Sequence, residues 1–180
     1  MLADYHLHSH VSHDGTGRII DHVRAAAERG IGELCFTEHL DFYPARDGLS
    51  CPTLPAEDAL IAYVAEAREA DGKGMVRVRA GMEVDYKPEA ERWTRELLGR
   101  LEMDFLMGSV HNVGKWPVSG PGEIAGAFFE EKGAETACLE YLDIVEKAVG
   151  TGLFDSFAHL DLMKRFRPGN GELMMRLNAI

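Results

Sequence analysis

Five short apolar runs, separated by stretches of helical spacing, each deliver a histidine or a glutamate at their carboxyl ends, and this repeat constrains the fold more than any other feature of the chain. The runs cover residues 2–8, 33–38, 76–84, 105–110 and 154–158, and read as strands. Helical spacing covers 19–29, 56–73, a stretch opened by Pro88 that carries Trp93 and Leu97, 135–149, and the residues from Glu172 onward. Gly30 is placed to stop the first helix. Such alternation is the pattern of a parallel α/β sheet, either closed into a barrel or doubly wound. His6 and His8 end the first run, His39 lies just past the second, Glu83 ends the third, His111 follows the fourth and His159 the fifth. In a barrel these ends converge on one mouth, whereas in an open sheet they spread along a line, so the pattern favours closure.

The residue types have their own chemistry. Side chains two apart on a strand share a face, so His6 and His8 can hold one cation together. The carboxylate of Glu83 has two oxygens and can bridge two metals roughly 3.5–4 Å apart, which an imidazole cannot do. Mixed imidazole and carboxylate donors suit zinc, iron or manganese better than calcium or magnesium alone. Cys35 lies within the second run, before its ligand end, and His22 lies on the first helix facing solvent, so both are left out of the site. His10 stays undecided.

Composition bounds the partners. The 180 residues suffice for a single domain, 1–180, with 30 acidic against 19 basic side chains and a net charge of −11. Phosphate neutralisation needs clustered Lys and Arg, so no broad nucleic-acid face is expected. A small phosphorylated substrate remains compatible, because bound cations invert the local field. No apolar run approaches the roughly 20 residues that span a bilayer, and no basic-then-apolar leader opens the chain. The expectation is a cytoplasmic protein without a membrane partner. Cys35, Cys51 and Cys138 form no Cys-x-x-Cys pair and read as reduced packing thiols.

The ordered motifs resemble a known family. Asp4, Tyr5, His6, Leu7 and His8, followed by Ser12, His13, Asp14 and Gly15, look like the opening motif of the PHP (polymerase and histidinol phosphatase) family. Thr37, Glu38 and His39 resemble its second motif, and Gly81, Met82, Glu83, Val84 and Asp85 its third. Gly108 to His111 and Ala158 to Asp161 resemble the two that follow. His-x-His alone is weak; the ordered set over the whole chain is specific. The stretch Gly108 to Pro117 and the later His159 to Phe166 resemble the histidinol-phosphate phosphatase branch.

The resemblance implies a distorted, TIM-like (β/α)7-type barrel. It also implies a phosphomonoesterase of histidine biosynthesis that uses two or three divalent transition-metal ions (Zn, Fe or Mn) on L-histidinol phosphate, with attack by metal-bound hydroxide. Carried over by residue, His6, His8 and Glu83 would serve one metal, and Glu83, His111 and His159 another. A further position would take His39 and Asp14, with His13 as the fallback. Glu83, His111 and Arg165 are the catalytic candidates. Arg165 and Lys164 are placed to grip a phosphate, Asp161 to support a ligating histidine or meet a substrate ammonium, and Asn112 and Trp116 to wall the pocket. The family continues beyond this length with further strands and a late Asp-x-His motif, and a closed eight-strand barrel takes about 250 residues. The expectation is a barrel incomplete at its C-terminus, whose apolar interior favours association with another chain. Alternatives are a PHP-type exonuclease acting on nucleotides or DNA ends, and a non-catalytic metal-binding fragment.

Overall fold

A computed structural model of the chain describes residues 1–44, 50–52, 57–120 and 122–165. The helix expected from Glu172 onward, and residue 56 at the start of the second one, lie outside the described residues. The first half contains β1 (Leu2–Leu7), α1 (Ile19–Glu28), β2 (Ile31–Leu40), β3 (Phe42–Pro44), β4 (Ser50–Pro52), α2 (Glu57–Asp71) and β5 (Arg77–Asp85). A 3₁₀ turn (Pro88–Ala90) runs into α3 (Glu91–Leu98), followed by β6 (Phe105–Ser109), β7 (Asn112–Val113) and β8 (Trp116–Pro117). Then come α4 (Gly122–Lys132), α5 (Ala134–Gly150), β9 (Ser156–Phe157) and a last 3₁₀ turn (Leu162–Lys164).

The order β1-β2-β5-β6-β9, parallel throughout, decides between the two architectures left open by the sequence. A doubly wound sheet reverses its strand order at a switch point, and here each new strand adds to the same edge. The sheet is also strongly curled. Strands lie about 4.8 Å apart, so β1 and β9 would be separated by about 19 Å if it were flat. Instead the rings of His6 and His159 approach to 5.9 Å between centroids. The described strands form a half-barrel with histidines gathered at its mouth.

Packing explains the curl from the outside. Helix α1 buries Ile19, Val23 and Ala26, and α2 buries Leu60, Tyr63, Ala67 and Ala70, each set on one helical face. Both lie on Leu34, Phe36, Val78 and Ala80, which occupy alternate positions of β2 and β5. Burying a large apolar side chain such as Phe36 contributes ~1.5–3 kcal/mol. The opposite, inward positions of β5 hold Gly81, Glu83 and Asp85, so stability comes from the outer face and chemistry from the inner one. The Tyr63 hydroxyl lies 2.6 Å from the Phe36 carbonyl and accepts the Gly81 N–H at 3.0 Å, pinning α2 to the sheet.

At Gly81 the inner face is so close-packed that a Cβ would lie 2.6 Å from Cys35 Sγ and 3.0 Å from the Phe105 carbonyl oxygen. Gly81→Ala should therefore cost ~1–3 kcal/mol in urea unfolding. Adding Cys35→Ala should recover part of that loss, since the sulfur then no longer obstructs; strictly additive costs would show that the two residues do not meet.

Several boundaries differ from expectation. Strand β2 runs on to Leu40, so His39 lies inside it, directly opposite Glu83 in register, and not beyond its end. Only Ser156 and Phe157 of the fifth run pair as a strand. The Gly- and Pro-rich loop after β6 contains the β7–β8 hairpin, turned at Gly114 with φ +56°, and leads into the unexpected α4. The sequence reads as Gly- and Pro-rich loop through Gly122, but Ala125, Phe128 and Phe129 beyond it are buried at helical spacing. Cys35 and Cys138 are buried, as packing residues should be; the Cys51 side chain lies outside the described residues.

Candidate metal centre

Glu83 sits at 0% exposure near the carboxyl end of the central strand, ringed by imidazole nitrogens from the other four strands or the residues just after them. Its Oε1 lies 3.1 Å from His111 Nε2 and 3.0 Å from His159 Nε2. Its Oε2 lies 3.2 Å from His6 Nε2, 3.4 Å from His8 Nε2 and 3.5 Å from His39 Nδ1. The strand-end histidines picked out by the sequence are thus brought together. A register irregularity of β1 between Asp4 and Leu7 lets Tyr5 and His6 both turn inward, Tyr5 to Glu33 and His6 to Glu83. His159 takes a positive φ of 24°, a conformation costly for a side-chain-bearing residue, and its carbonyl accepts the Tyr141 hydroxyl at 3.1 Å.

Asp41, which the sequence reading passed over, completes the electrostatics. Its Oδ1 lies 2.8 Å from His111 Nδ1 and 3.6 Å from His39 Nδ1. An ionised carboxylate only accepts, so the proton of a neutral His111 belongs on Nδ1, facing Asp41. That leaves the lone pair of Nε2 aimed at a second carboxylate, Glu83. Such a pair of contacts needs an extra positive charge between ring and carboxylate, either a proton or a metal ion. Without metal the proton does this: burial disfavours the His111 imidazolium, yet Asp41 and Glu83 raise its pKa to about 10. Burial would likewise raise both carboxyls, and their histidine partners hold Glu83 and Asp41 well below the ordinary carboxylate range. The donor set fits divalent transition metals, and among the described residues the buried Nδ1 atoms of His8 and His159 have no hydrogen-bond partner to direct their rings elsewhere.

A third buried carboxylate, Glu38, sets the loop after β1. Glu38 accepts the Ser9 N–H at 3.0 Å and the Ser12 hydroxyl at 2.5 Å, and Ser12 Oγ accepts the His39 N–H at 2.9 Å. A Cβ on Gly15 would lie 2.0 Å from the Ser9 carbonyl oxygen, so only glycine closes this turn. The loop places Asp14 Oδ2 3.3 Å from His39 Nε2 and the His13 ring 5.1 Å from that of His39. Oxygen and nitrogen donors of His6, His8 and Glu83, of His8, Asp14 and His39, and of His13, His39 and Asp41 each lie close enough to share one ion.

These residues line a cavity of about 230 Å³ together with Ser119, Leu162 and Arg165. The neighbouring candidates separate. Arg165 faces the cavity, whereas Lys164 pairs with Asp161 at 3.3 Å and both line a different, apolar pocket with Tyr141 and Met163. Asp161 therefore lies away from the candidate ligands, and the carboxylate that meets one of them, His111, is that of Asp41. Asn112 is buried, bonded to the Phe42 carbonyl and to Asp85, and Trp116 packs on Phe128, so neither walls the cavity. His10 pairs with Glu66 and lies outside it. His22 does too, lying against the Phe36 ring and bonded to the Thr16 carbonyl instead of facing open solvent.

Comparison with known proteins shows what the chain is similar to. The PHP domain model matches residues 4–178. A Deinococcus radiodurans protein named "Probable histidinol-phosphatase" is 34% identical over 99% of this chain and 68% of its own length. A "Histidinol-phosphatase" of Lactococcus lactis subsp. lactis is 32% identical over 92% of this chain and 58% of its own. The crystal structure of histidinol phosphate phosphatase from that Lactococcus, complexed with zinc, L-histidinol and phosphate, superposes with a TM-score of 0.78 at 29% identity, covering 94% of this chain and 61% of that one. A Listeria monocytogenes structure at 22% identity, with a TM-score of 0.74 over 98% of this chain and 76% of that one, supports the fold alone. The chain thus spans about three fifths of the Lactococcus protein. Among the described residues no helix is long and apolar enough to cross a membrane.

Proposed function

The chain belongs to the PHP family, and from that premise we propose that it is a metal-dependent phosphomonoesterase acting on L-histidinol phosphate. The observation that carries the proposal is the set of five imidazole nitrogens within 3.5 Å of the Glu83 carboxylate, a buried donor set that calls for added positive charge. The relatives' names and the ligands of the Lactococcus structure supply the substrate.

The ligands divide naturally. His6, His8 and Glu83 would hold one ion and Glu83, His111 and His159 another, with His39 and Asp14 holding a third. Asp14 is preferred to His13 because it sets a carboxylate oxygen 3.3 Å from His39 Nε2. Zinc, iron and manganese all suit this set, as two or three ions. When bound, such ions supply Lewis acidity toward phosphoryl oxygens and acidify water at neutral pH. The protein's own part is positioning. Glu83 carries charge into the centre from a rigid strand, Asp41 holds His111 by Nδ1 so that Nε2 points inward, and Glu38 fixes the loop bearing Asp14. Arg165 offers the phosphoryl group a two-pronged donor on the open side.

A charge-assisted hydrogen bond contributes ~1.5–3 kcal/mol, or about 10- to 100-fold. Arg165→Met should accordingly lower kcat/KM by about that factor with metal content intact, while Lys164→Met stays near wild type. Equal losses in both variants would remove Arg165 from the substrate site. The proposal itself is tested by phosphate release from L-histidinol phosphate, aryl phosphates, nucleotides and single-stranded DNA by zinc- or manganese-loaded protein. Strong preference for histidinol phosphate is expected. Equal rates on unrelated monoesters would reduce the activity to general phosphatase, and cleavage of DNA ends alone would make it an exonuclease.

A further inference from the structure

We infer that Asp85 is a positioning residue of this centre, a buried latch that holds two loops in the register at which Asp41 meets His111. It lies on β5 two residues beyond Glu83, on the same inward face, at 0% exposure. Its Oδ1 accepts the His111 N–H at 2.7 Å. Its Oδ2 accepts the Asn112 amide at 2.8 Å and the Phe42 N–H at 3.4 Å. Asn112 gives its other amide hydrogen to the Phe42 carbonyl at 3.0 Å, and the buried Lys87 ammonium reaches the Asn112 carbonyl at 3.4 Å.

One carboxylate and one amide therefore tie together the backbone at 42 and at 111–112. Asp41 immediately precedes the first of these segments, and His111 lies in the second. The two side chains are 70 residues apart in sequence and meet at 2.8 Å. Asp41 and His111 each lie outside the strands, between β2 and β3 and just before β7, so no ladder sets that distance; the bonds to Asp85 do. A hydrogen bond weakens steeply with a few tenths of an ångström and with angle, so slack in the latch passes directly to the aim of His111 Nε2. Among the described residues Asp85 accepts hydrogen bonds from backbone N–H groups and the Asn112 amide, not from a candidate ligand's side chain, and it does not line the cavity, which distinguishes its role from theirs.

The inference rests on the reading of His111 as a metal ligand, and two readouts keep the two apart. Asp85→Asn preserves shape but turns one acceptor into a donor facing donors. Zinc affinity, measured by competition with a chromophoric chelator, should fall about 10- to 100-fold, the usual effect of losing a partner behind a ligand. In metal-free protein, the NMR signal of the His111 Nδ1 proton, assigned by its loss in His111→Gln, should broaden into solvent exchange while circular dichroism is unchanged. The double variant Asp85→Asn/Lys87→Met removes the ammonium left without its anion and serves where the single variant fails to fold. A folded variant with wild-type zinc affinity and an unchanged His111 proton overturns the latch. Loss of fold in both variants overturns it too, in favour of a purely structural carboxylate. If wild-type protein takes up no zinc, the metal reading fails, and the proton signal alone decides the latch.

Discussion

Glu83→Gln should abolish phosphatase activity, on the order of 10³-fold or more, and should do more damage than replacing any one histidine. Each histidine offers one nitrogen to one side of the centre. Glu83 faces both sides, with Oε1 toward His111 and His159 and Oε2 toward His6, His8 and His39. Gln keeps the volume but removes the charge that two cations would share, and it presents an N–H₂ donor to ring nitrogens whose lone pairs point inward. Even partners one layer behind a ligand change metal affinity by roughly 10- to 100-fold. Metal analysis after gentle purification should find Glu83→Gln with clearly less metal than His6→Gln or His159→Gln. A Gln variant with normal metal content would mean that Glu83 does not bridge.

Glu83, His6, His8, His111 and His159 were legible in the sequence because a polar residue ending an apolar run has few places to go except the mouth of a barrel. The same logic located His39 and missed its neighbour. His39, Leu40 and Asp41 repeat the polar-apolar-polar pattern of His6, Leu7 and His8, yet Asp41 opens a run that also holds Pro44, Arg46 and Asp47 and reads as a turn. Its partner His111 is remote in sequence, and pairing at such separations leaves no local trace. Lys164 and Arg165 show another limit. Adjacent residues at the end of a 3₁₀ turn point in different directions, so one reaches the cavity and the other turns to Asp161. Closure of the sheet was favoured by where the ligands fall, but it was decided by strand order and curl. Those depend on how α1 and α2 pack outside. Helix α4 went unread because it starts at Gly122, where the Gly- and Pro-rich stretch ends, while Phe128 and Phe129 are held by the tertiary cluster around Tyr141.

Stripping metal should lower stability and make it depend on pH in a direction set by His111. An ion that binds only the folded chain stabilises it by about 4 kcal/mol when free metal stands a thousandfold above its dissociation constant. For a domain of this size roughly 2–4 °C accompanies each kcal/mol, so chelation should drop Tm by about 8–16 °C. The metal-free protein must then hold Asp41 and Glu83 apart from each other's charge with a proton on His111. Burial opposes that proton, but the two carboxylates win and raise the pKa from 6.5 to about 10. The folded chain thus binds this proton more tightly than the unfolded one. Its stabilising contribution is complete below about pH 6.5 and disappears as pH rises toward 10. Unfolding of chelated protein across that window should show stability falling as pH rises, whereas the metal-loaded protein, with the cation in the proton's place, should change far less. Equal pH profiles with and without chelator would show that no cation replaces that proton.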